Sequence, residues 1–129
     1  MPKKRKWLTT DIFGDMYIKL VHSEEKVQSI LRDYKIVSEV SEKSQAQVWP
    51  ITNFDNKPMF LVYTERKDFS PKTIALLAHE ATHIAQFFMD DIGEEEPSME
   101  FFAYVVQAAT ENLLIQQKEY MRKKLIERH

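Results

Sequence analysis

The sequence predicts an α+β domain in which a sheet of about three strands packs on a central helix and on a long C-terminal helix. Three short apolar stretches, each bounded by turn-forming residues, predict strands at 15–21, 46–51 and 58–64. Helix-start and helix-stop signals predict two further helices after these strands. The 129 residues suffice for one hydrophobic core, so we expect a single domain over 1–129.

The first half of the chain supplies the strands and one short helix. Ser23 follows the first strand and can accept a hydrogen bond at the start of a helix, which we expect to end near Tyr34. The second and third strands are joined by 52–57, which is rich in turn-forming residues. This composition predicts a turn between them.

The second half of the chain is predicted to be helical. Ser70 is a suitable N-cap and Pro71 a suitable first residue for the central helix. Gly93 would end that helix. Pro97 is suited to the first turn of the last helix, which we expect to run towards Arg128.

The composition excludes several classes of protein. Hydrophobic residues make up 43% and charged residues 29% of the chain, as in an ordinary globular domain. The absence of cysteine excludes disulfides and thiolate zinc sites, and it suits a reducing compartment. The chain has neither an apolar run that could span a membrane nor the apolar stretch of a signal peptide. We therefore expect a cytoplasmic protein without a membrane partner.

The most informative motif is His79-Glu80-Ala81-Thr82-His83, within the central helix. Residues four apart lie one above the other on a helix, about 5–6 Å apart at Cβ, so both imidazoles can bind one Zn²⁺. Glu80 points to the flank, where it can accept a proton from a metal-bound water instead of ligating the metal. The pattern is the zinc-metalloprotease signature H-E-x-x-H, and it predicts a zinc site with Glu80 as catalytic base.

The residues around the motif favour a metal site over two solvated histidines. At about 100° per residue, one face of the helix is apolar and a second face, almost opposite, carries both histidines. Between Lys72 and Asp90 the only formally charged residue is Glu80, so we expect protein to cover this second face as well. Two imidazoles and a carboxylate buried there would need partners, and a metal supplies one.

A catalytic zinc site needs a third protein ligand and an open position for water. The extended motif with a third histidine is absent, because Gln86 and Met89 occupy the positions of its Gly and His. The remaining option is a carboxylate from the last helix. We assign Glu100, one turn inside that helix, with Glu96 one turn earlier as the alternative. The run from Glu94 to Glu96 also suits a helix N-terminus, where the dipole favours negative charge.

These two motifs together resemble the gluzincin metallopeptidases. His79-Glu80-x-x-His83 followed by a helical glutamate, here in Glu100-Phe101-Phe102-Ala103, is similar to the ligand pattern of that family, over about half of the chain. The resemblance implies a small zincin-like core with Zn²⁺ as its cofactor. The length is similar to that of minimal gluzincins from bacteria and their phages, and a phage-encoded chain would act in the host cytoplasm.

The chain departs from that family in two ways. In its thermolysin-type branch, an aspartate one turn after the glutamate ligand orients a histidine, and Tyr104 stands at that place here. Gln107, Glu111 or a backbone carbonyl could orient the histidines instead. No histidine follows the motif before His129, so Tyr104 is our candidate for stabilising the oxyanion, although a packing role would also suit it.

These residues predict a zinc-dependent hydrolase, a peptidase that cleaves extended peptide segments with a metal-activated water. His79, His83 and Glu100 would hold the metal. By analogy with the family, a sheet edge from 58–66 would bind the substrate as an added strand. The alternative is a zincin-shaped assembly or interaction protein with a structural or inactive zinc site. An intact Glu80 favours the enzyme, because a structural site needs no general base.

Three further features bear on partners. The basic cluster within the arm 1–8 could touch anionic partners, but the net charge of -2 argues against a nucleic-acid partner. His22 could line the cleft, although a single histidine at a strand end more often has a structural role. The charged stretch 116–129 carries a narrow apolar stripe, so it could project from the core and pair with another copy or a protein partner.

Overall fold

The computed structural model describes residues 8–9, 16–52, 58–96 and 98–127. It confirms the α+β class, with three helices packed on a sheet of three longer strands and one two-residue strand. In chain order the elements are β1 (Leu8–Thr9), β2 (Tyr17–Val21), α1 (Glu24–Asp33), β3 (Ala46–Thr52), β4 (Pro58–Thr64), α2 (Pro71–Asp91) and α3 (Met99–Glu127). The basic cluster at 2–6 lies outside the described residues.

The strands of the sheet lie in the order β1-β2-β4-β3. β2 and β4 are parallel, with Ile18 opposite Phe60, whereas β3 is antiparallel to β4, with Trp49 opposite Leu61. β1, which the sequence reasoning missed, pairs with the outer side of β2. Because β4 is an interior strand, the prediction that 58–66 supplies a substrate-binding edge is wrong. The edge strand on that side is β3.

The boundaries of α1 and α2 follow the predicted capping residues, whereas Pro97, predicted for the first turn of the last helix, lies outside the described residues. Ser23 and Ser70 are the N-caps of α1 and α2, and their side chains accept hydrogen bonds from the backbone N–H groups three residues on. Gly93 has a φ of 75° just after α2, a conformation that favours glycine. The N–H of Glu94 reaches back to the carbonyl of Met89 at 2.9 Å, which closes the helix end.

The central strand β4 separates two hydrophobic cores, because alternate side chains of a strand point to opposite faces of the sheet. Phe60 and Val62 belong to the core beneath α2 and α3. Leu61 belongs to the core beneath α1, together with Val27. The helices α2 and α3 therefore share one face of the sheet, and the H-E-x-x-H motif lies in that layer.

The helices α2 and α3 run in opposite directions, side by side. Gln117, in the second half of α3, donates hydrogen bonds of 3.0 and 2.9 Å to the backbone oxygens of Arg66 and Asp68. Since those residues come just before α2, the start of α2 lies beside the second half of α3. Residues 122–127 are exposed, so the last turns of α3 extend past the core. None of the described helices is long and apolar enough to cross a membrane.

Candidate metal centre

The two histidines of the motif converge on one point beside α2. Their Nε2 atoms lie 3.1 Å apart, and the rings meet edge to face with centroids 4.7 Å apart. Two imidazoles that bind one tetrahedral Zn²⁺ at 2.0–2.1 Å place their nitrogens about 3.3 Å apart. The spacing between His79 and His83 is therefore close to the one that a single zinc ion requires.

Gln86 orients the second of these histidines. Its Oε1 lies 3.1 Å from Nδ1 of His83. Because a glutamine Oε1 can only accept, the ring donates from Nδ1, and the lone pair on its Nε2 can accept the hydrogen bond from Nε2 of His79. This arrangement matches the partner that a metal-binding histidine usually has. The sequence alone shows only that Gln86 occupies the glycine position of the extended zinc motif, and it does not indicate this contact with His83.

The face of α2 that carries the histidines is open to solvent. His79 and Gln86 are exposed and His83 is half-buried, so the prediction that protein covers this face is wrong for the described residues. The core is packed against the opposite side of the helix, where Leu77, Ala81 and Ile84 are buried. The lack of charge in this stretch had suggested burial, but alanine and uncharged polar side chains also tolerate water.

Glu80 differs from its two neighbours because it is buried. Its side chain is only 5% exposed, since one residue's step of about 100° moves it from the histidine face to the border of the core. Burial raises the pKa of the Glu80 carboxyl, and the nearby His83 and His79 oppose that rise. Within the described ranges, no hydrogen-bond donor reaches this carboxylate. Glu80 is therefore a buried acceptor close to the histidine pair, and none of the described residues donates a hydrogen bond to it.

The structure does not bring Glu100 to the histidines. Glu100 is exposed in the first turn of α3, and Glu96 is exposed in the preceding connection. Glu100 points away from the core residue Val105, because five residues correspond to about 140° around a helix. In the part of the chain that the structure describes, no three His, Cys, Asp or Glu side chains form a group that could hold a metal ion. The third ligand stays a prediction.

The other sequence-predicted residues of α3 share this outward direction. Tyr104 is exposed one turn after Glu100. Gln107 and Glu111 lie further along the same face, where they line a groove with Phe69. In the structure, the residue that orients His83 is Gln86 instead of either of these two.

His22 lies at a different place and has different surroundings. Its Nε2 is 2.7 Å from Oε1 of Gln117, and its ring stacks on Tyr120 with centroids 3.6 Å apart. Burial lowers the pKa of His22, the hydrogen bond to Gln117 opposes this, and nearby lysines lower it further. These contacts give His22 a structural role between β2 and α3. Sequence reasoning missed Gln117, although its position four residues after buried Leu113 was a signal of burial.

Comparisons with known proteins do not assign the chain to a family. No family model, no curated protein and no solved structure matches it.

Proposed function

We propose that this chain is a zinc-dependent hydrolase, a peptidase that acts on extended peptide segments. The observation that carries the proposal is the 3.1 Å approach of the His79 and His83 Nε2 atoms on the open face of α2. His79 is exposed and His83 half-buried, and their Nε2 atoms are hydrogen-bonded to each other. A metal ion bound by both nitrogens would take the place of that hydrogen bond.

Glu80 is the general base in this proposal. When bound, Zn²⁺ would supply Lewis-acid chemistry that activates a water and polarises the substrate carbonyl. Glu80 accepts a proton from the attacking water and delivers it to the leaving amine. Its carboxylate is suited to this transfer because it lies next to both ligands and no donor within the described residues occupies it.

The third ligand is Glu100 in this proposal, and Glu96 is the alternative. Both carboxylates are exposed at or near the connection between α2 and α3, and no ion pair of the described residues involves them. Tyr104, which the sequence suggested for stabilising the oxyanion, lies on the outward face of α3 and has no role in this mechanism. The absence of a complete ligand group in the described chain supports the second candidate function, an assembly or interaction protein with a structural or inactive zinc site.

In this proposal an extended substrate would bind along the outer edge of β3, which pairs only with β4 among the described strands. The N–H of Glu65 donates to the carbonyl of Gln45, so alternate residues of β3 bond to β4 and those between them face outward. The outward positions include Ala46, Val48 and Pro50. Because Pro50 has no N–H, a substrate strand would form its backbone hydrogen bonds mainly with Ala46 and Val48. This limits the added strand to a short segment.

The test of catalysis is Glu80→Gln. This change keeps the size of the side chain but removes the proton acceptor, so zinc content should stay near wild type while hydrolysis of an unfolded protein falls by roughly 10²–10⁴-fold. Zinc is measured by elemental analysis and hydrolysis by peptide release. Glu94→Gln is the matched control, because it makes the same chemical change at an exposed residue. Zinc-dependent hydrolysis that survives Glu80→Gln at the wild-type rate would contradict the mechanism.

The third ligand is tested separately. Glu100→Gln should release zinc, whereas Glu96→Gln should retain it, because an amide oxygen is a much poorer zinc ligand than a carboxylate. The reverse result would assign Glu96. If zinc binds to the wild type but no varied peptide is cleaved, the assembly function replaces the enzymatic one.

A further inference from the structure

The outward face of α3 carries apolar side chains that the rest of the described chain does not cover. Tyr104, Ile115, Leu125 and Ile126 are 47, 53, 58 and 59% exposed. Tyr104 and Leu125 point away from the core residues Val105, Ala109 and Leu113, whereas Ile115 and Ile126 lie at the border of this outward face, near the direction of buried Ala108. Exposed apolar side chains spread along one face of a long helix are typical of a surface that binds another helix.

We propose that this face pairs with the same face of a second copy of the chain, with the two α3 helices antiparallel. We call the face the outer stripe and define it by Tyr104, Glu111, Leu114, Ile115, Lys118 and Leu125. Leu114 is half-buried, because one side of it packs against the core. The twofold axis passes between Leu114 and Ile115, so each of these residues contacts the other one in the second copy. Such an isologous contact closes at two chains.

The order of residues along the stripe supports this particular partner. Glu111 lies three residues before Leu114, and Lys118 lies three residues after Ile115. An antiparallel pair centred between the leucine and the isoleucine therefore sets each glutamate against a lysine of the other copy. Tyr104 and Leu125 lie ten residues out on either side, so they meet as an apolar pair. Charge and apolar contacts are both complementary in this one register.

Other arrangements of two copies lose this complementarity. A parallel pair would set Glu111 against Glu111 and Lys118 against Lys118, and like charges in contact oppose association. An antiparallel pair shifted by one helical turn would set charged side chains against Leu114 or Ile115. The sequence of the stripe thus favours antiparallel over parallel pairing and one antiparallel register over its neighbours.

The surface around the stripe is suited to receive a second helix. A groove of about 520 Å³ runs beside it, with Phe69 and Thr110 among its lining residues. The ammonium group of Lys118 lies 5.0 Å from the centre of the Phe69 ring, which holds the lysine near the groove. Among the described residues, Glu111 has no ion-pair partner in its own chain. In the dimer, the apolar side chains of the second copy fill the groove and its Lys118 approaches Glu111.

Charge exchange tests the pairing without zinc or substrate, so its failure leaves the proposed function untouched. Wild type should sediment as a dimer, about twice the chain mass of 15.3 kDa. Glu111→Lys and Lys118→Glu should each shift it to monomer, because each sets like charges together. The double variant should dimerise again, and a mixture of the two single variants should form a mixed dimer. All substituted positions are exposed, so circular dichroism should show an unchanged fold.

Cross-linking tests the register. The chain contains no cysteine, so the only thiols are those introduced. Glu111→Cys mixed with Lys118→Cys should form a disulfide-linked pair on mild oxidation. Either variant alone should stay unlinked, because its two thiols lie about 10 Å apart along the helices, beyond the reach of a disulfide. The proposal would be overturned if wild type sedimented as a monomer at about 100 μM, or if both single charge variants still sedimented as dimers.

Discussion

The histidine pair on α2 and the single histidine after β2 show two opposite uses of the same side chain. His79 and His83 turn their Nε2 atoms towards each other on an open face, where they hydrogen-bond to each other and His83 also bonds to Gln86. His22 is held by Gln117 and stacked on Tyr120 between a strand and a helix. One arrangement brings two ring nitrogens together on a face that a ligand can reach, whereas the other uses the ring to join two elements.

The difference follows from what each backbone position makes available. On α2 the spacing of four residues places two rings on the same face, where they meet edge to face, and the core packs against the other face. At the end of β2 the chain leaves the sheet beside α3, so the His22 ring meets side chains that already point into the interface. A histidine is therefore best interpreted by the partners of its nitrogens, and its presence in a motif is only the first indication.

The largest expected difference between the histidine pair on α2 and His22 is in zinc binding. His79→Ala and His83→Ala should each lower zinc affinity at least about 100-fold, because each removes a ligand nitrogen. His22→Ala should leave zinc affinity unchanged, since its ring is already occupied by Gln117 and Tyr120. Titration with a fluorescent zinc competitor measures all three variants. Wild-type affinity in both α2 variants, or a loss of zinc in His22→Ala, would remove the distinction between the sites.

The next contrast concerns the two glutamines that hold these histidines. Gln117 is fully buried and its amide makes hydrogen bonds to His22, Arg66 and Asp68, so Gln117→Ala should destabilise the fold by about 2–3 kcal/mol. Gln86→Ala should change stability by less than about 0.5 kcal/mol but weaken zinc binding about 10-fold. Urea denaturation with chelator present measures the first effect, and zinc titration measures the second. Equal loss of stability in both variants would show that Gln86 is structural too.

The sequence predicted the fold more fully than the site. Ser23, Ser70 and Gly93 act through contacts with neighbouring residues, so their roles could be identified from local pattern. The three longer strands and all three helices followed from the same kind of information. The two-residue β1 did not, because so short a strand carries too few residues for a periodic signal.

The parts of the site that depend on distant contacts could not be predicted in this way. Helical spacing correctly placed His79 and His83 together, but it could not show whether another element covers their face. Strand order also depends on contacts between residues that are distant in the sequence. The prediction that β4 is an edge strand is therefore wrong, because β4 lies between β2 and β3. Gln117 is the strongest example, because the backbone oxygens that it binds belong to residues about 50 positions earlier in the sequence.

The smallest expected effect is the pH dependence that His22 gives to stability. Its pKa in the folded chain is below the ordinary value of 6.5, chiefly because the ring is buried. The folded protein therefore binds fewer protons than the unfolded chain near this pH, so the stability contributed by His22 is complete above about pH 6.5 and is lost as the pH falls through the lower folded pKa.

The groups around His22 support this direction, and one substitution isolates it. Lys26, Lys67 and Lys124 are the charged groups that lower its pKa, and Gln117 and Tyr120 contact the ring. His22→Phe keeps a stacked ring but cannot titrate. As the pH falls from 7.5 to 5, wild type should lose the stability that His22 contributes, whereas the variant should not. The difference in unfolding free energy between the two proteins should therefore become smaller. Because the ring is only half-buried, the change should stay below about 1 kcal/mol. Urea denaturation at several pH values, with chelator present to remove any zinc effect, measures it. A deficit that is constant over this range would show that His22 does not titrate differently in the folded and unfolded chains.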